Sequence, residues 1–456
     1  MPSTLWIDVT DLLLYLGQHD RPSGIQRVVF ELGSALATSD PERVGFVRRF
    51  AGPTDLETVA WEDIENLFAS VTQDTSRTRR TQGLLKATTI APFNPPEQRL
   101  ALLGASVRAQ ADVLRQFGRL AGRIARSVTH TVGNHHSKGR KTSSRPPSGH
   151  LLSEIARAGD MFFTPGSPWE LDDYAETVRW LRDNHRMTFG LLVHDVFPVF
   201  HPEWCAQGVI TTFTTWHRKI LPLADHVFTL SSATARDLTT YAMQERIGML
   251  SPPIRIGAGI TFRKHASEQN NFPHLPAAGS YVLFVSTLEA RKNHALLFRV
   301  WRRLVEERGS ENAPTLIFAG RSGWLVSDLL QQLDNANWLD GKICHIPSPT
   351  DAELAALYEG CLFTIFPSLA EGWGLPVTES LLFGQPCLAS GTTAIPEAGG
   401  TFVRYFDPDN AGDVLRVISE TLDDPTGLAI WRERIRRQFI PPDWCDSARI
   451  ILNRLH

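Results

Sequence analysis

The chain has 456 residues, 42% of them hydrophobic and 21% charged, which suits a soluble globular protein of two or three domains. A formal net charge of −3 gives no global attraction for nucleic acid. Five scattered cysteines, at 205, 344, 361, 387 and 445, with no CxxC pair, argue against a disulfide framework or structural zinc and point to a reducing cytoplasm.

In chain order, "MPSTLWIDVTDLLLYLG" has no basic leader and carries Asp8 and Asp11 inside its apolar run. It reads as holding a first buried strand, "TLWIDVT", and not as a signal peptide or a membrane span. Further strands are expected at "VGFVRRF", "MFFTPG", "TFGLLVHD" and "HVFTLS". Helices are expected at "IQRVVFELGSALA" and at "SATARDLTTYA", the latter with Ser231 or Ser232 as N-cap. Residues 52–150 break this alternation. There "EQRLALLGASVRAQADVLRQFGRLAGRIARSV" puts Leu103, Val107, Leu114, Phe117, Ile124 and Val128 on one helical face. Arg108, Arg115, Arg119, Arg123 and Arg126 fall on the other. Such a helix either lies on an anionic membrane surface or packs on its own domain with the arginines in solvent.

The segment "RKHASEQNNFPHLPAAGS" reads as a linker, joining two α/β halves near 262–279. A second set of strands follows at "YVLFVST", "TLIFAG", "ICHIPS", "LFTIFPS" and "PCLAS". Helices at "NHALLFRVWRRLVEE", "DAELAALYEG" and "LPVTESLLFG" are interleaved with them. The C-terminal helical pattern breaks at Pro441–Pro442. Alternating strands and helices predict parallel sheets covered by helices.

Four motifs carry chemistry. "EGWGLPVTE" sets Glu371 in a loop, Pro376 in the first turn of a helix, and Glu379 in that same turn. Carboxylates only accept hydrogen bonds, so two of them suit the hydroxyls of a sugar or a ribose. Glycines allow close backbone approach, and free helix N–H groups favour anionic oxygens. Glu379 could instead serve only the helix dipole. "FVSTLEARKNH" puts Arg291 and Lys292 at a strand-to-helix junction, where α/β folds bind ligands and where a diphosphate would need them. They could also be plain surface charge. "RPSGIQR" opens a helix at Gly24. "LLVHDVFPVFHPEW" puts His194 and Asp195 at a strand end, able to orient a hydroxyl or simply structural. "RIGAGITF" lacks a third glycine, so no dinucleotide fingerprint is supported. No His/Cys cluster suggests a metal, and Asp407–Asp409 is a poor metal–diphosphate holder.

Together "EGWGLPVTE", "STLEARKNH", "SSATARDL", "SGIQR" and "AIPEAGG" resemble the retaining glycosyltransferases of family 4, over roughly 1–50 and 160–456. The resemblance implies a GT-B fold of two Rossmann-like domains facing across a cleft. An acceptor-binding half would span 1–265 with a helical insertion at about 55–150. A nucleotide-sugar half would span 275–430, and a helix at 431–456 would cross back to the first half.

The resemblance also implies roles. Glu371 would hold hydroxyls of the donor sugar, helped by backbone N–H groups of Gly372, Trp373, Gly374 and Leu375. Glu379 would bind the ribose, and Arg291 and Lys292 the leaving diphosphate. Gly24 would let the other half approach that diphosphate. His194 would line the reacting centre, with Asp195 on the acceptor side. No metal or other cofactor is expected. The donor would be a nucleotide sugar, GDP-mannose first, with UDP- or dTDP-sugars as alternatives. The acceptor would be a glycan or polyprenyl-linked glycan in bacterial surface polysaccharide synthesis, at the cytoplasmic face of the membrane. Two rival readings share the fold: a sugar-nucleotide enzyme of other chemistry, such as an epimerase, and a non-catalytic binding or scaffold subunit. Ser286 and Ala290 depart from the "GTLEPRKN" pattern of many relatives.

Overall fold

The computed structural model describes residues 2–19, 21–73, 149–260 and 272–455. They belong to the unit Met1–Asp74 and Arg145–His456. The basic helical pattern at 97–128, the polar stretch after it and part of the expected linker lie outside the described residues.

Two sheets organise that unit. The first has the order β3-β2-β1-β4-β5-β6-β7. Its strands are β1 (Leu5–Asp8), β2 (Val44–Arg49), β3 (Leu56–Val59), β4 (Met161–Thr164), β5 (Thr188–Val193), β6 (His226–Thr229) and β7 (Ile254–Arg255). All neighbours run parallel except the β2–β3 edge pair. The second sheet is wholly parallel, in the order β10-β9-β8-β11-β12-β13. It comprises β8 (Tyr281–Val285), β9 (Thr315–Ala319), β10 (Ile343–Ile346), β11 (Thr364–Phe366), β12 (Cys387–Ser390) and β13 (Arg404–Phe406). Central strands such as β1, β4 and β11 are buried along their whole length, because helices cover both faces of a parallel sheet.

The chain order reverses between β1 and β4 in one sheet and between β8 and β11 in the other. In such sheets the crevice beyond the strand ends at the reversal is where ligands bind. Both sheets therefore offer their ligand edge at a predictable place.

The expected strand "TLWIDVT" is β1, which stops at Asp8, and the rest of the apolar run forms a helix α1 (Thr10–Gln18) that was not expected. Asp8 makes the break. Its carboxylate accepts the Thr10 N–H at 2.9 Å and the Thr10 hydroxyl at 2.5 Å, an Asx-type turn that ends a strand and starts a helix. Leu12 and Leu16, four apart, are then buried on the inner face of α1. Residues 56–73, inside the range expected for the insertion, form β3 and a helix, Trp61–Gln73 (α3), which packs on the helix Gly24–Ser39 (α2) through Phe30, Trp61 and Phe68.

After the Pro441–Pro442 break, the last helix (Trp444–Leu452) packs on α2 in the core of the first sheet, with Trp444, Ala448 and Ile451 buried. The Trp444 indole donates to the Ile260 carbonyl at 3.0 Å. Gly259 accommodates it, since a Cβ there would stand 2.5 Å from the indole. Trp444→Ala is expected to lower stability by about 3–5 kcal/mol. Urea denaturation would check this, and an unchanged midpoint would mean that the helix is dispensable. Among the described residues no helix is long and apolar enough to cross a membrane.

Candidate functional site

The site is built where β8 and β11 end. After β8, the chain turns through Asn293, which adopts the left-handed region (φ 63°). The Asn293 amide donates to the carbonyls of Pro367 at 3.3 Å and Pro408 at 3.0 Å, tying this turn to the loops after β11 and β13. The Leu369 N–H donates to the Arg291 carbonyl at 2.9 Å. On the other side, Ser390 Oγ donates to the Ser368 carbonyl at 2.6 Å, and the Glu371 N–H to Thr393 Oγ1 at 3.0 Å. Gly374, at φ 105°, is the N-cap of a helix α4 (Leu375–Leu382) with Pro376 in its first turn.

These ties bring Glu371 onto both cations of the other loop. Its Oε2 lies 2.9 Å from Arg291 Nη1 and its Oε1 2.5 Å from Lys292 Nζ, with all three side chains only 10–13% exposed. Burial works against ionisation of Glu371, but Arg291 and Lys292 outweigh it and hold its carboxyl at about 2. Burial likewise opposes the charge of Arg291, and Glu371, Glu289 and Asp195 more than restore it.

Glu379 stands in the second turn of α4, not the first, because the helix begins at Leu375 and Glu379 is its fifth residue. It is buried and accepts from the Tyr358 hydroxyl at 2.9 Å. Trp373 turns away from the Glu371 side and packs in the core of the first sheet. Among the described residues, the N–H groups of Gly372, Trp373, Gly374 and Leu375 donate to no protein group.

The first sheet closes over this loop. His194 follows β5, and its Nε2 lies 2.8 Å from the Pro165 carbonyl beyond β4. A carbonyl only accepts, so Nε2 carries the proton. Burial pushes the imidazole down to about 4, with the Pro165 bond opposing, so at neutral pH Nδ1 keeps its lone pair. Gly372 meets the His194 backbone: a Cβ on Gly372 would lie 2.0 Å from the His194 carbonyl oxygen. Thr234 Oγ1 stands between them, 3.3 Å from the His194 carbonyl and 3.4 Å from that of Gly372. Gly24 opens α2 directly opposite Leu375, whose Cδ1 would be 3.6 Å from a Cβ at Gly24.

Three more contacts cross between the halves. Arg27 forks onto Asp351 at 2.6 and 3.2 Å. Glu397 takes the N–H groups of Ser232 and Ala233 at 2.9 and 2.8 Å, occupying the N-terminus of the helix Ser232–Gln244. Ser231 is the N-cap of that helix, its side chain accepting from the Thr234 N–H. Arg291 lies over the Phe197 ring, 4.4 Å from its centroid. Glu289, Thr234, Glu397 and Phe197 all lie inside motifs quoted from the sequence, yet nothing local marks them. Thr234, Glu397 and Phe197 each act on a residue of another loop, and Glu289 acts on Arg291 in its own.

Asp195 is pushed up to about 6 by burial, with Arg291 opposing and Glu371 adding to the rise. A carboxyl whose folded value exceeds its unfolded one binds its proton more tightly when folded. Its cost to stability is therefore absent below about pH 4 and fully present above about pH 6. Asp195→Asn is expected to raise the urea midpoint at about pH 7.5 and to leave it unchanged at about pH 3.5. An equal shift at both values would show that ionisation of Asp195 is not the cause.

Comparison with known proteins bears on this arrangement. Residues 267–438 match the family described as glycosyl transferases group 1. Among curated relatives, the serotype-specific mannosyltransferase WbdA of Escherichia coli is 26% identical over 51% of this chain and 29% of its own length. The O-antigen chain mannosyltransferase B of Escherichia coli is 31% identical over 34% of this chain and 38% of its own. The chain thus spans well under half the length of these relatives. Among solved structures, sucrose-phosphate synthase from Thermosynechococcus elongatus superposes with a TM-score of 0.56 at 17% identity, covering 98% of this chain and 97% of that one. Anabaena Alr3699/HepE in complex with UDP and glucose does so with a TM-score of 0.54 at 13% identity, covering 99% of each. Both likenesses concern the fold.

Proposed function

For a chain that has the GT-B fold and carries a glycosyl transferases group 1 segment, we propose the retaining transfer of a hexose from a nucleotide-diphosphate sugar to a glycan. The observation that carries this reading is the Glu371–Lys292 pair at the β8/β11 reversal, roofed by the His194 backbone across Gly372. Glu371, ionised throughout the neutral range, accepts hydroxyls of the donor sugar. Lys292 and the N–H groups of Gly372 to Leu375 meet the diphosphate, where charge develops as the bond to the sugar breaks. Glu379 accepts from the ribose.

The acceptor hydroxyl attacks the anomeric carbon on the face the phosphate leaves. A new C–O bond forms as the bond to the phosphate oxygen breaks, and that oxygen takes the acceptor's proton. No metal is required, because Lys292 and the backbone N–H groups supply the positive end. His194, with Nδ1 as an acceptor, orients a hydroxyl at the reacting centre, and Asp195 faces the acceptor. The names of the curated relatives support mannose as the sugar and a bacterial surface polysaccharide as the product. GDP-mannose is therefore the first donor to test.

Nucleotide sugars differing in base and sugar should be screened by thermal stabilisation, because a ligand that binds the folded state raises its stability by mass action. GDP-mannose should stabilise the protein and yield GDP and a lengthened glycan with a lipid-linked acceptor. Silence with every donor and acceptor would leave the scaffold reading in its place.

A further inference from the structure

Arg291 and Lys292 are adjacent in the chain but are not equivalent in the structure. Arg291 Nη1 bonds Glu371 Oε2 at 2.9 Å and also the Ala370 carbonyl. Its Nη2 bonds Glu289 Oε1 at 2.7 Å. Its Nε is sealed from solvent with no partner among the described residues, and the Phe197 ring backs the guanidinium. Glu289 itself is 3% exposed. Among the described residues Lys292 makes one ion pair, to Glu371 Oε1 at 2.5 Å, and otherwise lies 5.5 Å from the centroid of the Phe366 ring.

Resting on the glycosyl-transfer reading, we propose that Glu289 and Arg291 are positioning residues that hold Glu371 in place when Lys292 leaves it for the donor's diphosphate. This takes Arg291 away from the diphosphate, where the motif alone puts it. The physical reason is the difference between the two cations. A lysine ammonium is a point charge on a flexible stem and can turn from a carboxylate to a phosphate. The planar guanidinium is already spanned between two carboxylates and a carbonyl. Turning it would strand Glu289, a buried carboxylate, without its counter-charge.

The exchange leaves Glu371 useful. Its Oε2 stays on Arg291 while Oε1, vacated by Lys292, becomes free to accept a hydroxyl of the donor sugar. Donor arrival thereby prepares the residue that reads the sugar. Glu289 makes this possible by offsetting the charge of Arg291, so that Arg291 neither follows the phosphate nor needs both oxygens of Glu371.

The test compares Glu289→Ala, Glu289→Gln, Arg291→Lys and Lys292→Ala. It measures the affinity for GDP and for UDP alone, and kcat and KM with the donor that wild type uses. Glu289→Ala should lower kcat roughly 10- to 100-fold, the scale of a misplaced catalytic group, with nucleotide affinity within about twofold of wild type. Glu289→Gln should recover most of kcat, since its amide oxygen accepts the same Nη2–H. Arg291→Lys should resemble Glu289→Ala, because an ammonium keeps the charge but cannot bridge both carboxylates. It also carries the test if Glu289→Ala fails to fold. Lys292→Ala alone should weaken nucleotide binding.

The proposal is overturned if Arg291→Lys keeps wild-type kcat, or if Glu289→Ala weakens GDP or UDP binding as much as Lys292→Ala does. A wild type that binds neither nucleotide and turns over no donor overturns the glycosyl-transfer reading itself. A wild type that does both, beside a Glu289→Ala of unchanged kcat, overturns only the positioning role.

Discussion

Gly372→Ala is expected to reduce transfer by roughly 100-fold, the order of loss that a displacement of about 1 Å at a reacting centre produces. The added methyl would sit 2.0 Å from the His194 carbonyl oxygen, 3.0 Å from its carbon and 3.3 Å from Asp195 Cβ. Gly372 does not have a positive φ, so its own loop accepts alanine without strain. The obstacle lies entirely in the opposite half. The second sheet should therefore fold as before and keep its nucleotide affinity, while the two halves can no longer meet at His194. Measuring kcat together with the solution radius of gyration would show both effects. Wild-type turnover in Gly372→Ala would mean that the contact between Gly372 and His194 is not part of the reactive arrangement.

Glu371→Gln is the second expected result, a loss of about 100- to 1000-fold in kcat, comparable to removing one preorganised polar group from a reacting centre. The charge balance predicts a stability cost too. Without the Glu371 charge, Lys292 loses its ion pair and Arg291 keeps Glu289 as its carboxylate partner, beside the Ala370 carbonyl. Breaking a buried pair in this way costs about 3–5 kcal/mol. The sign with pH follows from the depressed carboxyl. Its stabilisation is fully present above its unfolded value of about 4.5 and is lost as the pH falls towards about 2. The stability gap between wild type and Glu371→Gln should thus be large at pH 7 and shrink steadily below about pH 4.5. This is the opposite trend to that of Asp195, whose cost appears as pH rises. Urea melts across that range would separate the two, and a gap independent of pH would show that the Glu371 charge does not support the fold.

Much of this protein is legible locally. Apolar runs such as "TFGLLV" and "TLIFA" became buried parallel strands because a sheet covered on both faces needs no polar alternation. Pro376 and Gly374 mark a helix start for stereochemical reasons confined to a few residues. Where the first strand stops is an equally local matter that hydropathy does not show: Asp8 accepts both the N–H and the hydroxyl of Thr10, and the rest of the apolar run continues as α1.

The sequence by itself determined the two α/β halves, the ligand edge of each sheet, and the residue types gathered there. Those follow from periodicity and from glycine and proline stereochemistry, which act over a few residues. Only the tertiary structure decided who pairs with whom. Lys292 and Glu371 are 79 positions apart, and Thr234 and Gly372 are 138 apart. Whether Arg291 is spent on Glu289 and Glu371 or left for a phosphate depends on how two loops are tied together by Asn293 and Leu369. Hydrogen bonds and ion pairs are short-ranged and directional, so a separation in sequence says nothing about them until folding has brought the partners within reach.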